Sequence, residues 1–346
     1  MISAIVFLLV LGILVSFHEL GHLIVAKMCG MKIDAYSIGF GPKLLKVKMG
    51  ETEYSLSLIQ LGGYIKPAGP NFKEDVQSED PDKNRYFVCK PVWKRALVII
   101  AGPAFNFLLG FILLTGMIYS TGTVSETTMV IGEVMKNSPA VKAGIQKGDL
   151  IVAIDKEKIT DWFTLISLIQ EKKDQEIMLT LKRNESVLNI SVKPESTKEG
   201  LVIGIAPTVQ RKKVKGLAIL TEGYKKFAIV TRLQIKGMVQ IFTGKISSKN
   251  IGGPIAIFKI TDDATKEGFL TIVGLMVLLN ISLGLFNLLP IPLLDGGQLP
   301  LLLLEAIRRR PLSKKTQQII QIVGIVIILL IFLLATSNDI SRLIHS

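Results

Sequence analysis

The chain is short of the residues that mark several common classes. It has two cysteines in 346 residues, too few for a disulfide-built secreted domain. It has only three histidines. No nucleic-acid-binding module is recognisable. The formal charge of +13, from 41 Lys+Arg against 28 Asp+Glu, therefore does not read as a nucleic-acid footprint. Internal repeats are lacking, which argues against a transporter built from paired halves. Above all, charge is nearly missing from four long stretches. Each exceeds the roughly 20 residues needed to cross a bilayer. With 49% hydrophobic residues, disorder is excluded as well.

These stretches predict an α-helical polytopic membrane protein with four transmembrane helices, at about 2–26, 96–120, 268–294 and 316–338. A cleaved signal peptide is a poor reading of the first, because Met-Ile-Ser-Ala carries no basic start and the apolar run is too long. Basic residues in short loops set orientation. Arg308, Arg309, Arg310, Lys314 and Lys315 lie between the last two spans, and Lys27, Lys32, Lys94 and Arg95 flank the first loop. Both loops are expected in the cytoplasm, with the termini and the long segment 126–267 outside a cell (inner) membrane. Residues 210–250 resist this, holding ten Lys/Arg against Glu222 alone, although long segments translocate largely regardless of charge. Cys29 and Cys89 then face the reducing side.

The first span contains Ser16-Phe17-His18-Glu19-Leu20-Gly21-His22. Each ionisable group placed in hydrocarbon costs about 2.5–3.5 kcal/mol on insertion scales. His18 and His22 are four residues apart and share a helix face. This spacing offers two imidazoles to one zinc ion, with Glu19 placed as general base. The competing reading is a hydrogen-bonded polar cluster holding helices together. A catalytic zinc usually has a third protein ligand. The third span ends Asn287-Leu288-Leu289-Pro290-Ile291-Pro292-Leu293-Leu294-Asp295-Gly296-Gly297. Its prolines break the helix, which a membrane tolerates only against protein or a wet cavity. Asp295 stands at the inner end of its span, as the histidines do. From position alone it is either the third ligand or an ordinary turn residue.

HELGH in a first span, with LLDGG closing a third, resembles the site-2 protease family of intramembrane zinc metalloproteases, in the bacterial RseP/RasP-type branch that regulates sigma factors. Ala101-Gly102-Pro103-Ala104-Phe105-Asn106 is similar to that family's A-G-P-x-x-N segment. Gly39-Phe40-Gly41-Pro42, Leu61-Gly62-Gly63-Tyr64 and Gly252-Gly253-Pro254-Ile255 match further signatures. The resemblance implies zinc bound by His18, His22 and Asp295, Glu19 as catalytic acid/base, and substrate binding by Asn287 and Asn106. It implies a membrane-dipping β-hairpin in loop 27–95. It also implies a zinc-dependent endopeptidase that cleaves transmembrane segments of single-pass proteins, anti-sigma factors or remnant signal peptides, in regulated intramembrane proteolysis. Gln298, Gln60 and Ser282 depart from the family's usual His, Pro and Asn. None of the three is an implied ligand.

Between the membrane parts (1–125 and 268–346), strand-like alternation begins at Ile131. The run Ser138-Pro139-Ala140 to Gly148-Asp149-Leu150-Ile151 resembles one inserted extracytoplasmic α+β PDZ domain, placed at 127–207. It either captures peptide by strand addition or only excludes large substrates. Residues 208–267 are expected as an amphipathic extracytoplasmic linker, with an amphipathic surface helix within 210–250.

Overall fold

In lipid every backbone polar group needs an internal partner, and a helix supplies one for each group within a single apolar run. The computed structural model describes residues 2–159, 162–171, 175–197, 200–244 and 252–344. The chain forms two compact units, one from its two ends and one from Ile118–Ile219. The first unit opens with α1 (Ile2–Met28), which carries both candidate histidines. The strands β1 (Ile33–Met49) and β2 (Thr52–Pro67) follow, and α2 (Val92–Thr121) closes the segment. β1 and β2 are too long for a flat hairpin and fold back on themselves. Ala35 to Ile38 face Lys66 to Gly63 on one side and Glu53 to Leu56 on the other. The outer edge of Gly63–Lys66 is left without a strand partner among the described residues.

The second unit holds β3 (Thr123–Val134), α3 (Pro139–Lys142), β4 (Leu150–Ile154), β5 (Glu157–Lys158), α4 (Trp162–Glu171), β6 (Ile177–Arg183) and β7 (Ser186–Val192). The short pair β8 (Glu195–Thr197) and β9 (Gly200–Val202) precedes β10 (Ile205–Lys212). The main sheet runs β10-β3-β4-β6-β7, all antiparallel, with β5 beside β4. Alternate residues point inward, so Ile151, Ile177, Leu179 and Leu181 bury together with Leu165 of α4. Asp149 is buried at the head of β4. Arg183 donates to it from Nε at 2.7 Å and from Nη2 at 2.9 Å, and this guanidinium holds the carboxyl below its ordinary range.

The chain returns through α5 (Ala218–Phe242), α6 (Pro254–Glu267), α7 (Phe269–Asn287), α8 (Asp295–Arg308) and α9 (Lys314–Ile344). Four of the described helices, α1, α2, α7 and α9, are long and apolar enough to cross a membrane. α8 is tied to α2 by a partly buried ion pair, Arg95–Glu305 at 2.8 Å. α9 is tied to α6 by Asp339, whose carboxylate accepts from the backbone N–H groups of Gly253, Ile255 and Ala256 at 3.0–3.1 Å.

Two expectations change. The third apolar helix ends at Asn287, seven residues before its expected boundary, and Asp295 starts a new helix. Pro290 and Pro292 supply no N–H, so the helix ends before them. The stretch 208–267 is not one linker: β10 runs into it, and two separate helices follow. Nor is α5 merely a surface helix. Phe227 packs edge-on against Phe107 and Phe111 of α2. Gln234 donates to the Leu278 carbonyl at 3.1 Å and accepts from the Ser282 hydroxyl of α7 at 3.0 Å. Residues 245–251, which include the last of the expected basic segment, lie outside the described residues.

Candidate metal centre

The helical repeat puts His18 and His22 on one face of α1, and both are buried. Their Nε2 atoms lie 3.2 Å apart. Asp295 Oδ2 comes to 3.0 Å from Nε2 of His18 and 3.4 Å from Nε2 of His22. Among the described residues no hydrogen bond is aligned on that buried oxygen. Three lone-pair atoms thus converge on a point that none of them satisfies.

The arrangement fits a divalent ion. Tetrahedral coordination at 2.0–2.1 Å gives ligand–ligand edges of about 3.3 Å, the range seen between these atoms. Two imidazole nitrogens and one carboxylate oxygen form a donor set that suits zinc and leaves a fourth position free. The opposite ring nitrogens are also held. His22 Nδ1 lies 2.7 Å from the Val98 carbonyl, to which it donates. This fixes the tautomer that turns Nε2 toward the shared point. His18 Nδ1 meets the Asn106 side-chain amide at 2.9 Å. Gly102, between Val98 and Asn106 on α2, makes room for both rings, since a Cβ there would sit 2.3 Å from His22 Nε2.

Asp295 is delivered by an irregular segment. Leu294 N–H bonds to the Ile291 carbonyl at 3.1 Å. The turn between them carries Leu293 at φ +83°, a strained value for a bulky residue. Gly296 and Gly297 then let α8 begin against the loop behind it. A Cβ on Gly297 would lie 2.1 Å from the Ile291 oxygen, and one on Gly296 would lie 2.3 Å from Leu288 backbone.

Glu19 lines the same cavity of about 410 Å³ as His18, His22 and Asp295, along with Tyr64, Ile65, Asn287 and Gln298. A Cβ on Gly63 would lie 3.3 Å from Glu19 Cγ, so β2 runs directly against the acid. Asn287, expected to bind substrate, lines this cavity. Asn106 does not: it is fully buried and touches His18. Sequence reasoning missed the Val98 carbonyl, because a backbone group carries no residue signature. It noted Gln298 only as a departure, although the position one helical turn past Asp295 was a readable signal.

The profile of the family described as Peptidase family M50 matches residues 6–331. The regulator of sigma-W protease RasP of Bacillus subtilis is 30% identical to this chain over 99% of both chains. A putative zinc metalloprotease of Clostridium acetobutylicum is 33% identical over 98% of this chain and 97% of its own. Among solved structures, the PDZ domain of an SdrC-like protein from Listeria monocytogenes is matched at 24% identity and a TM-score of 0.22. That match covers 25% of this chain and 92% of the domain. The chain belongs to peptidase family M50.

Proposed function

We propose that this chain is a zinc-dependent endopeptidase that cleaves peptide bonds within the membrane. His18, His22 and Asp295 hold the metal, and Glu19 moves the proton. The observation that carries the reading is the convergence of the three ligand atoms at 3.0–3.4 Å, with a buried carboxylate oxygen that accepts no aligned hydrogen bond among the described residues. The names of the relatives, zinc metalloproteases and a sigma-W regulator, support the metal and the class.

When bound, zinc supplies Lewis acidity toward a carbonyl and toward water. Glu19 accepts the proton lost by the attacking water and returns it to the leaving amine. A substrate helix hides its carbonyls in its own hydrogen bonds, so it must unwind first. The unpaired edge of Gly63–Lys66 offers main-chain groups to an extended strand, and Asn287 adds a side chain in the same cavity. The substrates are single-pass membrane proteins. By analogy with the sigma-W regulator they include anti-sigma factors, with remnant signal peptides as the alternative. The second unit is a PDZ domain outside the cell membrane, which is also where both termini lie.

Glu19→Gln tests the assignment in purified protein with a single-span reporter. Zinc content is expected to stay near that of the wild type while cleavage falls at least about 10³-fold, in line with the loss of a general acid/base. Full activity in the metal-loaded variant would remove Glu19 from the mechanism.

A further inference from the structure

Asn106 was expected to bind substrate, yet its side chain is buried against His18. It is fully buried in α2, one turn beyond Gly102. Among the described residues its one hydrogen-bond contact is with the imidazole of His18, where the amide nitrogen lies 2.9 Å from Nδ1, and its Oδ1 has no partner.

The ring decides which end of the amide must face it. His18 Nε2 points at His22 Nε2 and at Asp295 Oδ2. To offer a lone pair there, Nε2 must be unprotonated, so a neutral ring carries its proton on Nδ1. An Nδ1–H facing an amide NH₂ sets two donors against each other. Turning the amide over by 180° exchanges ends of nearly equal shape. It places Oδ1, which has no competing bond, where Nδ1–H can donate to it. The neighbouring histidine is served in the same way, with His22 Nδ1 against the Val98 carbonyl at 2.7 Å. Val98, Gly102 and Asn106 are spaced four apart on α2, as His18 and His22 are on α1. One face of α2 therefore supplies an acceptor to each ring on either side of the glycine that admits them.

We infer that Asn106 is a positioning residue: its side-chain oxygen accepts from His18 Nδ1–H and so fixes the tautomer and orientation in which Nε2 binds the metal. This rests on the zinc reading above.

The test measures zinc affinity by chelator competition in the full-length protein in micelles, for wild type, Asn106→Leu, Asn106→Asp and His18→Ala. Asn106→Leu removes the acceptor at similar volume and is expected to weaken zinc binding 10–100-fold, the range for losing an outer-shell partner. Asn106→Asp keeps an acceptor and is expected to hold affinity at or above that of the wild type. At saturating zinc, Asn106→Leu should cleave a reporter with unchanged KM. The inference is overturned if Asn106→Leu binds zinc as the wild type does, or raises KM at saturating zinc. It is also overturned if Asn106→Asp loses as much affinity as Asn106→Leu, and that arm stands even if the leucine variant fails to fold. If His18→Ala leaves affinity unchanged, the metal assignment itself is what fails.

Discussion

A carboxylate oxygen buried against two imidazole nitrogens is costly unless something positive stands among them. The oxygen of Asp295 is in that position. Protonating a histidine would supply a charge, but only one donor for three converging atoms. A shared cation satisfies all three at once. The histidines come from one helix and are fixed relative to each other by its backbone, whereas Asp295 arrives from a different helix. Asp295→Ala therefore keeps the imidazole pair and removes only the proposed third ligand. Zinc affinity is expected to fall by more than about 100-fold, beyond the 10–100-fold typical of outer-shell partners. Metal analysis after dialysis against a weak chelator reads this directly. Retention of one zinc per chain would show that the third ligand is another group.

At the scale of elements, the site depends on how α7 stops and α8 starts. The sequence announced the break through Pro290 and Pro292 but not its extent, because a run of apolar residues continues past Asn287 to Leu294. Asp295 became legible as a ligand only through the LLDGG resemblance, since position alone equally allowed a turn. His18 and His22 were legible from their spacing and from the cost of placing them in a span. The packing of α5 was not legible: Lys225, Lys226, Arg232 and Lys236 gave it the pattern of a surface helix, while the contacts of Phe227 and Gln234 appear only in three dimensions. The two glycines after Asp295 allow a test of the junction. Gly297→Ala puts a Cβ 2.1 Å from the Ile291 oxygen, and an overpacked site costs about 1–3 kcal/mol. The start of α8 must then shift and carry Asp295 with it, so both thermal stability and zinc stoichiometry should drop. Gly116→Ala in α2 meets nothing within 4 Å and should be neutral or slightly stabilising, because alanine is the better helix former. Equal losses in the two variants would mean that close packing behind Asp295 does not hold the ligand in place.

For the whole molecule, the remaining question is which end of each crossing faces the cytoplasm. The excess of basic residues is unevenly placed. Arg308, Arg309, Arg310, Lys314 and Lys315 fall in and around the short connection between α8 and α9, the kind of loop in which basic residues set orientation. The ten Lys/Arg of 210–250 pull the other way, but they belong to a long segment, where charge has little say. If the short-loop rule wins, this connection is cytoplasmic, and the second unit, reached through one further crossing by α2, is outside. Single cysteines in a Cys29→Ala, Cys89→Ala background decide it. Lys136→Cys, at an exposed position of the second unit, should react with a membrane-impermeant maleimide on intact cells. Arg310→Cys, exposed just past the end of α8, should react only after permeabilisation. The reverse pattern would place the second unit in the cytoplasm and end its proposed placement outside the membrane, while leaving the metal centre, which lies within a single unit, untouched.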